Sequence, residues 1–276
     1  MESGSLVVWI IAFTAFGGVL GVIAAGTFLL LPGRVRARIL PGAVSFAIGA
    51  LLGAALLALL PEAIEAAGED GAHTVLPTVL LGLLGFFLLE KLVIWRHCHV
   101  DECEVHGSHA DHHHYSAERV ERAHERAAGT LILIGDGIHN LVDGVLIAAA
   151  FLTSIELGIV TSIAVIAHEL PQEIGDFAIL LNSGYSRARA LLFNVMASLT
   201  TVVGGVIAYF SLAAAEQALP YVLAIAASSF IYVAVADLIP GLHKRPEFSA
   251  TVQQFALIAI GIAVIFLTNA AMGHGH

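Results

Sequence analysis

Two polar stretches, GDGIHNLVDG (135–144) and AHELPQEIGD (167–176), stand inside apolar runs of this 276-residue chain. They offer imidazole nitrogens from His139 and His168, carboxylates from Asp143, Glu169 and Glu173, and amide oxygens from Asn140 and Gln172. Mixed nitrogen and oxygen donors of this kind suit zinc and its first-row neighbours, and disfavour calcium and magnesium only in part. The spacing supports that chemistry. At about 100° per helical residue, with His139 at zero, Asp143 falls at about 40° and Asn140 at about 100°. With His168 at zero, Gln172 falls at about 40° and Glu169 at about 100°. Two such helices, face to face, hold one metal between His139 and His168 and a second between Asn140 and Glu169, with Asp143 and Gln172 shared. The bland alternative is a pair of kinked helices joined by structural hydrogen bonds. It accounts for one buried His or Asn, and poorly for two helices with matching faces.

Pro171 adds to the expectation. It donates no hydrogen bond and its ring clashes with the Ala167 carbonyl, so the second helix is expected to bend beside these ligands. Further acids extend the line. Asp136 and Asp176 fall on the same faces, about one turn from His139 and two turns from His168, and Asp237 follows in a later apolar run. These three are candidate exit-path carboxylates. For Glu90, Glu62 and Glu65, near the ends of other runs, an interfacial role fits as well as a pathway role.

The elements that position these residues are membrane helices. The chain is 58% hydrophobic and 12% charged, with a mean hydropathy of +0.88. Its composition predicts eight spans, near 6–31, 42–64, 74–95, 129–152, 157–182, 188–214, 219–241 and 250–272, each long enough to cross about 30 Å of hydrocarbon. A soluble all-α core does not account for eight such runs. A central Asp costs about 2.5–3.5 kcal/mol to insert, so the polar stretches need a function there. The fold class is therefore an all-α polytopic membrane protein. Residues 1–95 hold spans one to three, 96–128 form a cytoplasmic loop, and 129–276 hold spans four to eight, within a single domain.

Orientation follows from the bases. All twelve lysines and arginines fall in alternate connections or flank them: Arg34, Arg36 and Arg38; Lys91, Arg96, Arg119, Arg122 and Arg126; Arg187 and Arg189; Lys244 and Arg245. The positive-inside rule puts these connections in the cytoplasm and both termini outside. The flank MESGS has no base and the first apolar run is long, so a membrane span is expected there rather than a secretory leader. Cys98 and Cys103 fall on the cytoplasmic side, where a disulfide is not expected and a thiolate metal ligand is admissible. The net charge of −10 is divided between loops and spans, and nothing resembles a nucleic-acid footprint.

The loop 96–128 holds eight of the fourteen histidines. Its first half reads as a flexible His-rich segment with weak metal binding, and its second half, from Ser116, as helix running into span four. A solvated linker and a metal acceptor or sensor both fit it. The stretches LLALLPEAIE (56–65) and VAVADLIPGL (233–242) each close with an acid beside a proline. They lie in spans of opposite direction, a faint sign of an inverted repeat of spans one to three against six to eight.

HNLVDG followed by HELPQEIGDF resembles the paired signatures, approximately HNxxDG and HExPHE, of the ZIP (Zrt/Irt-like) family of divalent-metal transporters. The close match covers about 129–198. The resemblance implies inward transport of a divalent metal as substrate, zinc foremost, with iron, manganese and cadmium also admitted. It implies a midplane two-metal site with His139, Asn140 and Asp143 from one motif and His168, Glu169 and Glu173 from the other. Gln172 departs from the pattern, standing where the second histidine of HExPHE would be, which weakens the nitrogen ligation. No enzymatic activity and no resident cofactor are expected. The partners implied are divalent metal ions, the lipid bilayer and, by resemblance alone, a second copy in a homodimer. The location implied is a cell membrane, plasma or bacterial inner. Two other readings remain: an intramembrane zinc metalloprotease, because HELPQ approaches the zinc-protease pattern H-E-x-x-H with Gln172 in place of its second histidine, and a membrane metal sensor signalling through 96–128.

Overall fold

Proline sets the most distinctive backbone feature of the fold. In a computed structural model describing residues 3–102, 117–243 and 247–272, two long helices widen into π turns just before a proline. Helix α2 runs from Gly33–Ala54 through a π turn at Ala55–Leu59 into Leu60–Ala66, which contains Pro61. Helix α7 runs from Leu219–Tyr232 through Val233–Leu238 into Ile239–Leu242, which contains Pro240. A proline cannot donate to the carbonyl four residues back, and opening the turn by one residue relieves the clash.

The other long helices are α1 (Ser3–Leu30), α3 (Gly71–Glu102), α4 (Ala117–Thr153), α5 (Ile155–Asn182), α6 (Arg187–Leu212) and α8 (Phe248–Met272). No strand occurs among the described residues. Among the described residues, seven helices are long and apolar enough to cross a membrane. The eighth, α5, carries Glu169, Glu173 and Asp176. Its ends are well specified. Ser154 caps its N-terminus by accepting from Leu157 N–H at 3.1 Å. At its C-terminus Tyr185 N–H reaches Leu180 O and Gly184 N–H reaches Leu181 O, and Gly184 takes the φ of +82° that this cap requires. Unlike α2 and α7, α5 passes Pro171 as continuous α-helix.

The expected helix entering span four is present from Ala117. Residues 103–116, the central part of the His-rich loop, lie outside the described residues, as do Lys244 and Arg245.

Helices α1, α4, α5 and α6 pack on one another, α2 packs on α8, and α3 packs on α7, with α2 and α7 also joining the two groups. Glycines set the closest approaches. A Cβ on Gly49 would lie 2.0 Å from Ile258 O, bringing α2 against α8. One on Gly204 would lie 2.0 Å from Leu141 O, bringing α6 against α4. Where hydrocarbon surrounds both helices, such small-residue contacts supply the dispersion attraction that drives association.

The main apolar core is asymmetric along the bundle. It takes Leu146, Ile147 and Phe151 of α4, Leu157, Val160 and Ala164 of α5, Leu51 and Leu59 of α2, and Leu223 and Phe230 of α7. All lie toward the end of the bundle that holds the start of α1. Among the described residues, two smaller clusters, Ala25–Phe28–Ile174 and Phe177–Leu180–Ala190, lie toward the opposite end.

Candidate metal centre

On α4, His139 and Asp143 are one turn apart; on α5, His168 and Glu169 are neighbours. The packing of α4 on α5 brings one ligand atom from each of the four within 4.8 Å of the others. His168 Nε2 lies 3.0 Å from Asp143 Oδ2 and 3.2 Å from His139 Nε2. His139 Nε2 lies 3.5 Å from Asp143 Oδ2 and 3.7 Å from Glu169 Oε1. Asp143 and His168 are each 1% exposed, while the His139 side chain is 24% exposed and gives the group its open edge.

The hydrogen bonds around this group decide what it can hold. His168 Nδ1 lies 3.1 Å from Ala164 O. A carbonyl only accepts, so Nδ1 carries the proton and Nε2 presents its lone pair to the centre. Asp143 Oδ2 and Glu169 Oε1 are buried with no hydrogen-bond donor. Two carboxylate oxygens and the His168 nitrogen thus point lone pairs at a common volume, with His139 Nε2 beside them at 3.2 Å from His168 Nε2. Buried oxygens of this kind are stable only opposite a cation or shared protons. Phe230 of α7 stands edge-on to the His168 ring at 6.1 Å and closes one side.

The remaining sequence-derived candidates form a second polar layer toward α6. Asn140 donates to Asp136 Oδ1 at 2.9 Å, and its own oxygen accepts from Thr201 Oγ1 at 2.7 Å. Gln172 also hydrogen-bonds the Asp136 carboxylate. Glu173 Oε1 accepts from Ser198 at 2.8 Å, and Asn194 donates to the Glu173 carbonyl at 3.4 Å. Asp136 Oδ2 and Glu173 Oε2 are buried without donors. Asp176, half-buried, lies within electrostatic range of Asp136 and Glu173. The structure places Asp237 elsewhere: it faces Glu90 of α3, which accepts a hydrogen bond from Tyr232.

Asn194, Ser198 and Thr201 were not among the residues singled out from sequence. Their spacing of four and three in LFNVMASLTTVVGG places them on one face of an otherwise apolar helix, and that was the available signal. Thr201→Val tests their role. It leaves Asn140 Oδ1 buried without a donor, a cost of about 1–3 kcal/mol. The expected result is a lower thermal midpoint of the purified protein and a few-fold loss of metal uptake, short of abolition. A variant identical to wild type in both would remove Thr201 from the site's support.

The sequence comparisons agree with the motifs. The family model described as ZIP zinc transporter matches residues 5–269. The chain is 33% identical over 249 residues to a Mus musculus protein named zinc transporter ZIP4, covering 72% of this chain and 38% of that protein. It is 31% identical over 305 residues to the Caenorhabditis elegans zinc transporter zipt-7.2, covering 94% and 65%. With the Saccharomyces cerevisiae zinc transporter YKE4 it shares 31% over 244 residues, covering 82% and 70%. The chain therefore spans only 38% and 65% of the length of the first two relatives.

Proposed function

The chain belongs to the ZIP zinc transporter family, a family of multi-pass membrane proteins, and from that premise we propose that it carries a divalent transition metal into the cytosol through the centre on α4 and α5. Zinc is the foremost cargo, with iron, manganese and cadmium as further candidates, and a plasma or bacterial inner membrane is the location. The observation that carries the proposal is the facing of Asp143 Oδ2 and Glu169 Oε1, both without donors, with two imidazole nitrogens. That donor set matches zinc in type and number. A second ion is assigned to the adjoining layer, where Asp136 Oδ2 and Glu173 Oε2 also lack donors and Asn140 and Gln172 hold the Asp136 carboxylate through their amides.

Direction rests on packing and charge together. The positive-inside rule assigns the ends that carry the bases to the cytoplasm, and on that assignment most of the main apolar core falls on the outer side of the centre. On this reading the outer half is closed and the carboxylates Asp136 and Asp176 lead inward, while Asp237 faces Glu90 apart from them. His139 and His168 bind and orient the ion, the core excludes water from its outer side, and the acids offer weaker successive oxygen partners for release. Radiozinc uptake into proteoliposomes, with competition across the first-row metals, tests the proposal. Saturable uptake above protein-free vesicles is expected, and its absence in correctly inserted protein would overturn the assignment.

Gln172→His gives a sharper test of the second layer. An amide oxygen is a weak zinc ligand and an imidazole nitrogen a good one, at about 2.0–2.1 Å. The half-saturating zinc concentration should fall by a few-fold and the maximal rate should fall with it, because release slows. Manganese, which prefers oxygen, should change less. Identical zinc and manganese curves for wild type and variant would mean that position 172 does not meet the metal.

A further inference from the structure

The seam between α1 and α6, on the side of α6 away from α4, carries two cavities in line. The inner one, of about 450 Å³, is walled by Gly26 and Leu30 of α1, Phe177 and Leu181 of α5 and Leu191 of α6, and rimmed by Arg36 and Arg187. The second, of about 220 Å³, lies two turns further into the bundle, between Val19 and Ile23 of α1 and Val195 and Leu199 of α6. The first is basic at its mouth and apolar within; the second is apolar.

Three features of the inner cavity point to an anion. Arg36 Nε is buried and has no hydrogen-bond partner among the described residues. Arg187 is the first residue of α6, and Arg36 lies in the first turn of α2. Two helix N-termini therefore add their partial positive charge to two guanidinium groups. Among the described residues no acid lines the cavity, and Pro32, ahead of α2, supplies no side-chain cap. The second cavity then decides what kind of anion. A free phosphate would use the mouth alone, whereas a phospholipid places its phosphate at the arginines and an acyl chain along the seam. Leu30, Leu191, Ile23 and Leu199 are all exposed along that line, forming a continuous apolar track at membrane depth.

We propose that this seam is a binding site for an anionic phospholipid, with Arg36 and Arg187 on the phosphate oxygens and an acyl chain lying between α1 and α6. Basic recesses between helices on the cytoplasmic side are suited to such headgroups. The arginines of the seam are not among the metal-centre residues, although Ser198, which donates to Glu173, also lines the second cavity; lipid binding is therefore read directly, without metal flux.

The test measures phospholipid retained by the full chain after exchange from phosphatidylcholine–phosphatidylglycerol mixed micelles into detergent, quantified by native mass spectrometry. Wild type should retain phosphatidylglycerol in preference to phosphatidylcholine. Arg36→Gln with Arg187→Gln should lower that retention about fivefold or more. Arg34→Gln with Arg38→Gln, on the same end of the bundle but outside the cavity, should leave it nearly unchanged. Equal losses from the two pairs would mean diffuse surface attraction and would overturn the site. Val195→Trp fills the second cavity without touching charge and should also lower retention; unchanged retention there overturns the acyl-chain placement, and decides the matter if the arginine variant fails to insert. A final arm adds excess inorganic phosphate. Little displacement is expected, while full displacement with no effect of Val195→Trp would assign the mouth to free phosphate and overturn the lipid proposal.

Discussion

Asp143→Ala is expected to abolish metal uptake, by more than about 100-fold, while leaving membrane insertion and thermal stability close to wild type. Loss of an outer-sphere partner alone costs a metal site about 10- to 100-fold, and Asp143 stands inside the group. Its Oδ2 lies 3.0 Å from His168 Nε2 and 3.5 Å from His139 Nε2, and has no donor of its own. Removing it takes away the oxygen common to both histidines. The fold loses little, because that oxygen is not holding any hydrogen-bond donor and an unmatched charge disappears from membrane depth. Zinc uptake and the thermal midpoint of the purified protein, measured side by side, separate the two effects. Wild-type uptake would remove Asp143 from the ligand set. Lost uptake with collapsed stability would make its role structural.

Gly144→Ala is expected to damage both the fold and transport, although a single methyl group is added. The new Cβ would meet Thr201 O at 1.9 Å and Gly205 N at 2.7 Å. Both are backbone atoms of α6, so no side chain can move aside and the helices must separate. Overpacking of this kind costs about 1–3 kcal/mol even where side chains yield. Separation also pulls Thr201 from Asn140, now joined at 2.7 Å. The matched control is Gly175→Ala on α5, where a Cβ meets nothing within 4 Å. Alanine is the better helix former by about 1 kcal/mol, so the control should be neutral or stabilising. A drop of several degrees in thermal midpoint with greatly reduced uptake for Gly144→Ala, against none for Gly175→Ala, is the expected pattern. Equal behaviour of the two would refute the close approach of α4 and α6.

By itself the sequence determined the helical class, the approximate spans and the faces on which the metal-binding residue types lie. These follow from local rules: apolar length against membrane thickness, and the angular period of one helix. His139 and Asp143 share an edge of α4 whatever α4 packs against. The tertiary structure decided which groups those faces meet. Angle alone treats Asn140 as equivalent to Glu169, yet Asn140 is turned between Asp136 and Thr201, while Glu169 joins the two histidines and Asp143. The difference comes from α6, whose Thr201 donates to Asn140 because Gly144 and Gly204 allow the two backbones to touch. The π turns before Pro61 and Pro240 were equally hidden, since Pro171 sits in a similar apolar helix and leaves it α-helical. A helix's period fixes where a side chain starts, but its final torsions and partners are set by the donors and surfaces that neighbouring helices bring to it, and those come from residues tens of positions away in the chain.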